Sequence, residues 1–283
     1  MSKAAATPRL HWWGTVLYVP LLYGSGWLAS RPLLLLFPGW RADQIDLAGV
    51  AIALLLLLLT LPGRLTRVWD EPYPWKRLGV AGLGAAPVLK ALLRGLLKAL
   101  LLLGPLTLLL LLSGEARWLG DLSGASLLNA LALALGVGFA EELLFRGWLW
   151  GELSLLLGAH RALWAQAGVF ALLHPWTTMP ALESLAMLGG LLLLGLALAL
   201  QRRADGDVIW GCVGLHGGLV GGWFALQNGL IELSPSAPAW MVGPGQANPN
   251  PIGGALGWIG LVTLLWVRWR WMRGPGSEET DQA

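Results

Sequence analysis

Residues Ala134–Trp150 read Ala-Leu-Gly-Val-Gly-Phe-Ala-Glu-Glu-Leu-Leu-Phe-Arg-Gly-Trp-Leu-Trp, so two adjacent carboxylates, Glu141 and Glu142, sit in the middle of an apolar run. A run of this kind reads as a membrane-spanning helix. Charged side chains inside a span are rare because hydrocarbon solvates them poorly, so their default reading is a functional site. Arg146 follows Glu142 by four residues, which places the two on one helical face as an ion pair. Glu141 is rotated by about 100° from Glu142 and is free to point elsewhere, into a cavity. Two histidines in later apolar segments, His174 and His216, are its candidate partners.

Composition supports the membrane reading. The 283-residue chain is 56% hydrophobic without its 39 glycines, and only 12% of it is charged, against roughly 25% in soluble domains. Mean hydropathy is +0.63. The single cysteine, Cys212, excludes an internal disulfide and a cysteine-based zinc cage. In an apolar helix it reads as a small hydrophobe. A net charge of +3 gives no sign of nucleic acid as a partner. The N-terminal apolar stretch carries Trp and Tyr and lacks a clean small-x-small end, so it reads as a retained span and not a signal peptide.

Eight apolar segments approach the roughly 20 residues of a straight crossing. They are Leu10–Ala29, Asp46–Leu61, Leu89–Leu112, Ser126–Trp150, Ala162–His174, Ala181–Leu200, Val208–Asn228 and Ile252–Trp271. The expected architecture is therefore an all-α, polytopic membrane helical bundle of about eight transmembrane helices. Leu33–Leu36 is too short to span and should lie at the interface.

The distribution of basic residues gives an independent check. With eight crossings, Lys3, Arg9, Arg64, Arg67, Lys76, Arg77, Arg161, Arg202, Arg203, Arg268, Arg270 and Arg273 fall on one side. Only Arg31, Arg41 and Arg117 fall on the other. Both termini are then expected to be cytoplasmic, in a cytoplasmic-type or thylakoid membrane, and the loop Gly229–Gly253, which has no basic residue, to be external, Ala247 included. Lys90, Arg94 and Lys98 recur at every fourth residue and read as a basic start to the third helix, its stems snorkelling to the headgroups.

Three segments carry chemistry: Glu141-Glu142-Leu-Leu-Phe-Arg146, Phe170-Ala-Leu-Leu-His174 and His216-Gly-Gly-Leu-Val220. Taken singly, each has a structural explanation. Glu142–Arg146 reads as a buried lock between helices, His174 as a histidine at a helix end before Pro175, and Gly214, Gly217 and Gly218 around His216 as a close helix crossing. Together, in this order and each within a span, they read as a catalytic constellation. A buried carboxylate is suited to taking a proton from water, and His174 near it to orienting that water. One carboxylate and two histidines are also a potential zinc set. No HExxH is present, so nothing in the sequence demands a metal.

These segments resemble the CPBP family of intramembrane proteases, which includes the CAAX prenyl proteases, the Abi proteins and bacteriocin-processing or immunity proteins. Its members carry EExxxR, FxxxH and HxxxN or HxxxD on successive core helices. The resemblance covers roughly Ser126–Asn228. It implies a CAAX-protease-like core in which Glu141 is the catalytic glutamate, His174 holds the hydrolytic water with it, and His216 stabilises the developing oxyanion. Glu142 and Arg146 correspond to the supporting pair. Val220 departs from the pattern, since it stands where the family usually has Asn or Asp and cannot donate a hydrogen bond.

The resemblance implies an intramembrane endopeptidase acting on a membrane-associated protein or peptide in the bilayer, with Glu141, His174 and His216 as ligands if zinc takes part. The alternatives are a non-proteolytic binding, immunity or scaffold protein of the same fold, and a transporter. The expected organisation is an N-terminal set of spans over residues 1–122, a catalytic core over 123–230, and an external loop, last span and tail over 231–283.

Overall fold

The structure is a computed structural model and describes residues 10–174, 176, 179–245 and 248–272. Lys3, Arg9, Pro175, Ala247 and Arg273 of the sequence reading lie outside the described residues. The chain forms two compact units, Met1–Arg77 and Leu78–Ala283.

The first unit is a helical hairpin of α1 (Trp12–Ser30) and α2 (Ala42–Val68), joined through a single turn at Leu33–Leu36. Arg31 closes the hairpin with an ion pair to Asp46 at 2.6 Å. The hydropathy pattern ends the second span near Leu61, but α2 continues through Pro62 to Val68.

The second unit contains α3 (Ala85–Leu112), α4 (Gly124–Leu157), α5 (Ala159–Leu173), α6 (Ala181–Ala204), α7 (Trp210–Ala225) and α8 (Ala255–Val267). Its only described strands, β1 (Ala116–Trp118) and β2 (Ile231–Leu233), pair antiparallel beyond the ends of α3 and α7. In lipid there is little hydrophobic force between helices, so close packing and polar contacts must hold them. The α3–α7 crossing shows both. Gly95 of α3 lies against the backbone of Gly211 and Leu215, and Gly214 of α7 against that of Leu92, so neither position has room for a side chain.

The basic stripe on α3 does not simply snorkel. Arg94 pairs with the buried carboxylate of Asp205 at 2.7 Å, and Lys98 donates to Gln201, both at the end of α6. Arg202, read from sequence as a loop charge, is buried and donates to the Arg146 carbonyl.

The chain is a predominantly helical membrane protein. Among the described residues, four helices are long and apolar enough to cross a bilayer: Ala42–Val68, Ala85–Leu112, Gly124–Leu157 and Ala181–Ala204. The other expected crossings correspond to the shorter or less apolar α1, α5, α7 and α8.

Candidate active site

The long helix α4 is not uniform. It is π-helical over Leu133–Val137 and again over Leu143–Leu149, with an ordinary α-helical stretch, Gly138–Glu142, between them. Single π turns inside α-helices mark functional sites often enough to be informative, and here the two flank the paired glutamates. α4 ends at Gly158, whose φ of +79° admits glycine readily and turns the chain into α5.

Glycines on α7 bring His216 to the glutamates. A Cβ at Gly217 would strike the Ala134 carbonyl, and one at Gly138 would stand 2.9 Å from the Gly217 Cα. The two backbones are therefore in contact, and His216, next to Gly217, reaches Glu142. Its Nδ1 lies 2.8 Å from Glu142 Oε1, which also accepts from Arg146 Nη1 at 2.8 Å. All three side chains are buried. A carboxylate already paired with a guanidinium can only accept, so the proton of this bond sits on His216 Nδ1 and leaves Nε2 facing the cavity.

His174 is fixed in the same sense. Its Nδ1 lies 2.7 Å from the Phe170 carbonyl, one turn back, which is an obligatory acceptor. The spacing Phe170-x-x-x-His174 thus supplies the acceptor as well as an aromatic wall, with the two rings 4.3 Å apart. The Phe170 ring also lies under the Arg146 guanidinium at 4.2 Å and meets the edge of His216 at 5.6 Å.

Both free nitrogens converge on the remaining carboxylate. Glu141 Oε2 is 3.4 Å from His174 Nε2 and 3.8 Å from His216 Nε2. It has no hydrogen-bond partner among the described residues. Glu141 and His174 are partly exposed, at 29% and 22% of their side-chain area, whereas Glu142 and Arg146 are at 0%. One carboxylate is enclosed and neutralised while its neighbour in sequence is partly exposed. These separations exceed a good hydrogen bond.

The same three groups also fit a metal ion. Their ligand atoms lie within 4.8 Å of one another. Two ligands of one tetrahedral zinc stand about 3.3 Å apart, close to the separations here. Each histidine has its outer N–H held by an oxygen acceptor, as zinc-binding histidines do.

All five residues singled out in the sequence come together. Val220 lies half-buried on the next turn of α7 and brings no polar atom. Gln166, which the sequence reading passed over, is fully buried, and its amide donates to the carbonyls of Leu163 and Gly195. Arg146 Nη2 shares that Gly195 carbonyl at 3.4 Å. The signal was present: a glutamine in the middle of an apolar helix is costly unless it is bonded.

Residues 1–73 match a family model described as a domain of unknown function (DUF8676). No curated protein and no solved structure matches the chain. Residues 123–221 match a family model described as type II CAAX prenyl endopeptidase Rce1-like. That segment holds Glu141, His174 and His216 together with the supporting pair, and the match over it supports a CPBP, CAAX-protease-type assignment for this helical membrane protein.

Proposed function

We propose that the chain is an intramembrane endopeptidase that cleaves a membrane-associated protein or peptide with a water activated by Glu141. The observation that supports this reading most is the unpartnered Glu141 Oε2, faced by two imidazole Nε2 atoms whose outer nitrogens are already committed.

In this reading a water bound between Glu141 and His174 gives its proton to Glu141 as it attacks the peptide carbonyl. Glu141 then passes that proton to the leaving amine. His216 Nε2, when protonated, donates to the oxyanion that forms. The Glu142–Arg146 pair keeps His216 in the orientation this requires, and Gln166 and Arg146 both donate to the Gly195 carbonyl of α6. Removing a preorganised oxyanion donor typically costs about 10²–10³ in rate, so His216 carries much of what Asn or Asp at position 220 would otherwise share. If zinc is bound, Glu141, His174 and His216 would hold it, and it would supply Lewis-acid polarisation of the water and carbonyl.

The catalytic core would be residues 123–230, between the N-terminal spans and the last crossing. Eight crossings with both termini on the cytoplasmic side fit the basic-residue bias. The apolar Val220 favours, as a second reading, a non-proteolytic membrane scaffold of the same fold. Incubating the purified protein in lipid nanodiscs with a peptide library, and identifying products by mass spectrometry, separates the two. Products formed by the wild type and missing with Glu141→Gln support proteolysis. No products with either protein leave the scaffold reading.

A further inference from the structure

β2 has a free edge. Its pairing with β1 matches Ala116 to Leu233, Arg117 to Glu232 and Trp118 to Ile231. The ladder continues at both ends, where Ser234 N–H donates to Glu115 and Leu119 N–H donates to Leu230. Those bonds turn the main-chain groups of Leu230, Glu232 and Ser234 toward β1. Successive residues of a strand present their main-chain groups to opposite edges, so Ile231 and Leu233 present theirs away from β1. The Ile231 N–H is taken by the Leu226 carbonyl. The Ile231 carbonyl and both main-chain groups of Leu233 have no partner among the described residues. An open edge of this kind is a template for another extended chain.

That edge lines a cavity. Ile231 and Leu233 border a space of about 690 Å³ together with Glu183, Gln227, Asn248 and Pro249. Main-chain, amide and carboxylate groups in the wall suit a polypeptide and not an acyl or isoprenoid chain. Glu183, half-buried in the first turn of α6, forms no ion pair among the described residues, so the cavity carries a negative charge open to a cation.

The cavity and the Glu141 site share their framework. Ser184, next to Glu183, donates to the Trp176 carbonyl just beyond His174 at 2.9 Å. Trp223, two turns past His216 on α7, donates to the Pro249 carbonyl in the cavity wall at 2.7 Å. Gln227 follows His216 by eleven residues, about 16 Å along a helix, a distance that about five extended residues cover.

We propose that this cavity holds an extended segment of the substrate as a third strand on the free edge of β2. A lysine or arginine of that segment meets Glu183, and the Gln227 end of the cavity stands about five extended residues from the bond cut at Glu141. The inference rests on the endopeptidase reading and names the substrate feature it recognises: a basic, extended flank beside an apolar segment.

The test uses the full-length protein in nanodiscs and four synthetic peptides with a common apolar segment. Their flanks are lysine-rich, serine-rich, glutamate-rich, and lysine-rich with alternate backbone nitrogens methylated. The lysine flank should give the lowest KM, with the glutamate and N-methylated flanks about tenfold higher and kcat nearly constant. Glu183→Gln should erase the difference between lysine and glutamate flanks. Leu233→Pro removes only an N–H that β1 does not use, a place where an edge strand tolerates proline, and should reproduce the effect of N-methylation. Equal KM for all four peptides, with cleavage still dependent on Glu141, overturns the strand-docking proposal and leaves the endopeptidase reading standing. If no peptide is cut, binding of the same peptides with a fluorescent label decides. Affinity lost on N-methylation then supports the docking edge without proteolysis, and affinity indifferent to both flank charge and methylation overturns it.

Discussion

Glu142 meets both Arg146 and His216 through a single oxygen: Oε1 accepts from the guanidinium and from the imidazole, each at 2.8 Å, while Oε2 has no hydrogen-bond partner among the described residues. One carboxylate oxygen thus ties the ion pair of α4 to the histidine of α7. Any change at Glu142 should therefore be felt in stability and in the placement of His216 together.

Glu142→Gln leaves Arg146 buried with a neutral neighbour. Breaking a buried pair by removing one partner costs about 3–5 kcal/mol, so the variant should melt well below the wild type in the same detergent. The double change Glu142→Leu with Arg146→Met removes both charges and should recover much of that loss. Thermal unfolding followed by intrinsic tryptophan fluorescence checks this, and a double variant no more stable than Glu142→Gln contradicts it.

Glu141→Gln keeps shape and removes the base. Because Glu141 is partly exposed and outside the Glu142 network, expression and melting should stay close to wild type. Turnover should fall by about 10²–10⁴, the usual contribution of a general base. Full turnover with the glutamine variant would end the assignment of the base to this residue.

His216→Ala should lower kcat by about 10²–10³ and change KM little, as expected for a group that acts on the oxyanion. Val220→Asn places an amide of similar size one turn further along α7, and its rate should equal or exceed wild type. The two variants and the wild type, assayed side by side in one lipid, give the answer. Cleavage indifferent to His216→Ala would leave only Glu141 and His174 in the mechanism.

Gly217→Val should be among the most damaging single changes in α7. Its side chain would strike the Ala134 carbonyl on a neighbouring backbone that has no flexible group to move aside. Overpacking of this kind typically costs about 1–3 kcal/mol and more where backbone must shift. Size-exclusion profiles of the detergent-solubilised variant should show aggregation or loss of the monodisperse peak.

The charge bias predicts that Lys76 and Ser236 lie on opposite sides of the membrane. Cysteines placed at each, one at a time, can be probed with a membrane-impermeant maleimide in sealed cells, since Cys212 is fully buried and should stay silent. The Ser236→Cys variant should label from outside and Lys76→Cys only after permeabilisation. Labelling of both from the same side would contradict the eight-crossing arrangement.

Much of the site was legible because its chemistry is expensive in lipid. Glu141, Glu142 and Arg146 stand out in an apolar run, and the spacing of Phe170 from His174 already contains the acceptor that orients the ring. The helix limits were less legible. Hydropathy places an end near Trp150, yet α4 continues to Leu157, because Glu152 is drawn inside and Gly158 supplies the turn. Arg202 carries the same charge as its neighbours in a loop count, and only the folded chain reveals that it bonds the Arg146 carbonyl. The two π segments and the free edge of β2 are matters of main-chain register, which side-chain patterns do not record.

Each π segment holds a slightly wider turn than the α-helix beside it. A helix laid out at a constant 3.6 residues per turn would keep the same composition and hydropathy while rotating everything beyond the first segment. Gly138 would then leave the face that meets Gly217, and Glu141 would lose its view of both histidines. The phase of the glutamates is therefore stored in two local departures from ideal winding. Deleting a single residue between Leu133 and Val137 would let that turn wind as an ordinary α-helix and keep the glutamates in phase, so the site should tolerate the loss of one residue there better than elsewhere in α4.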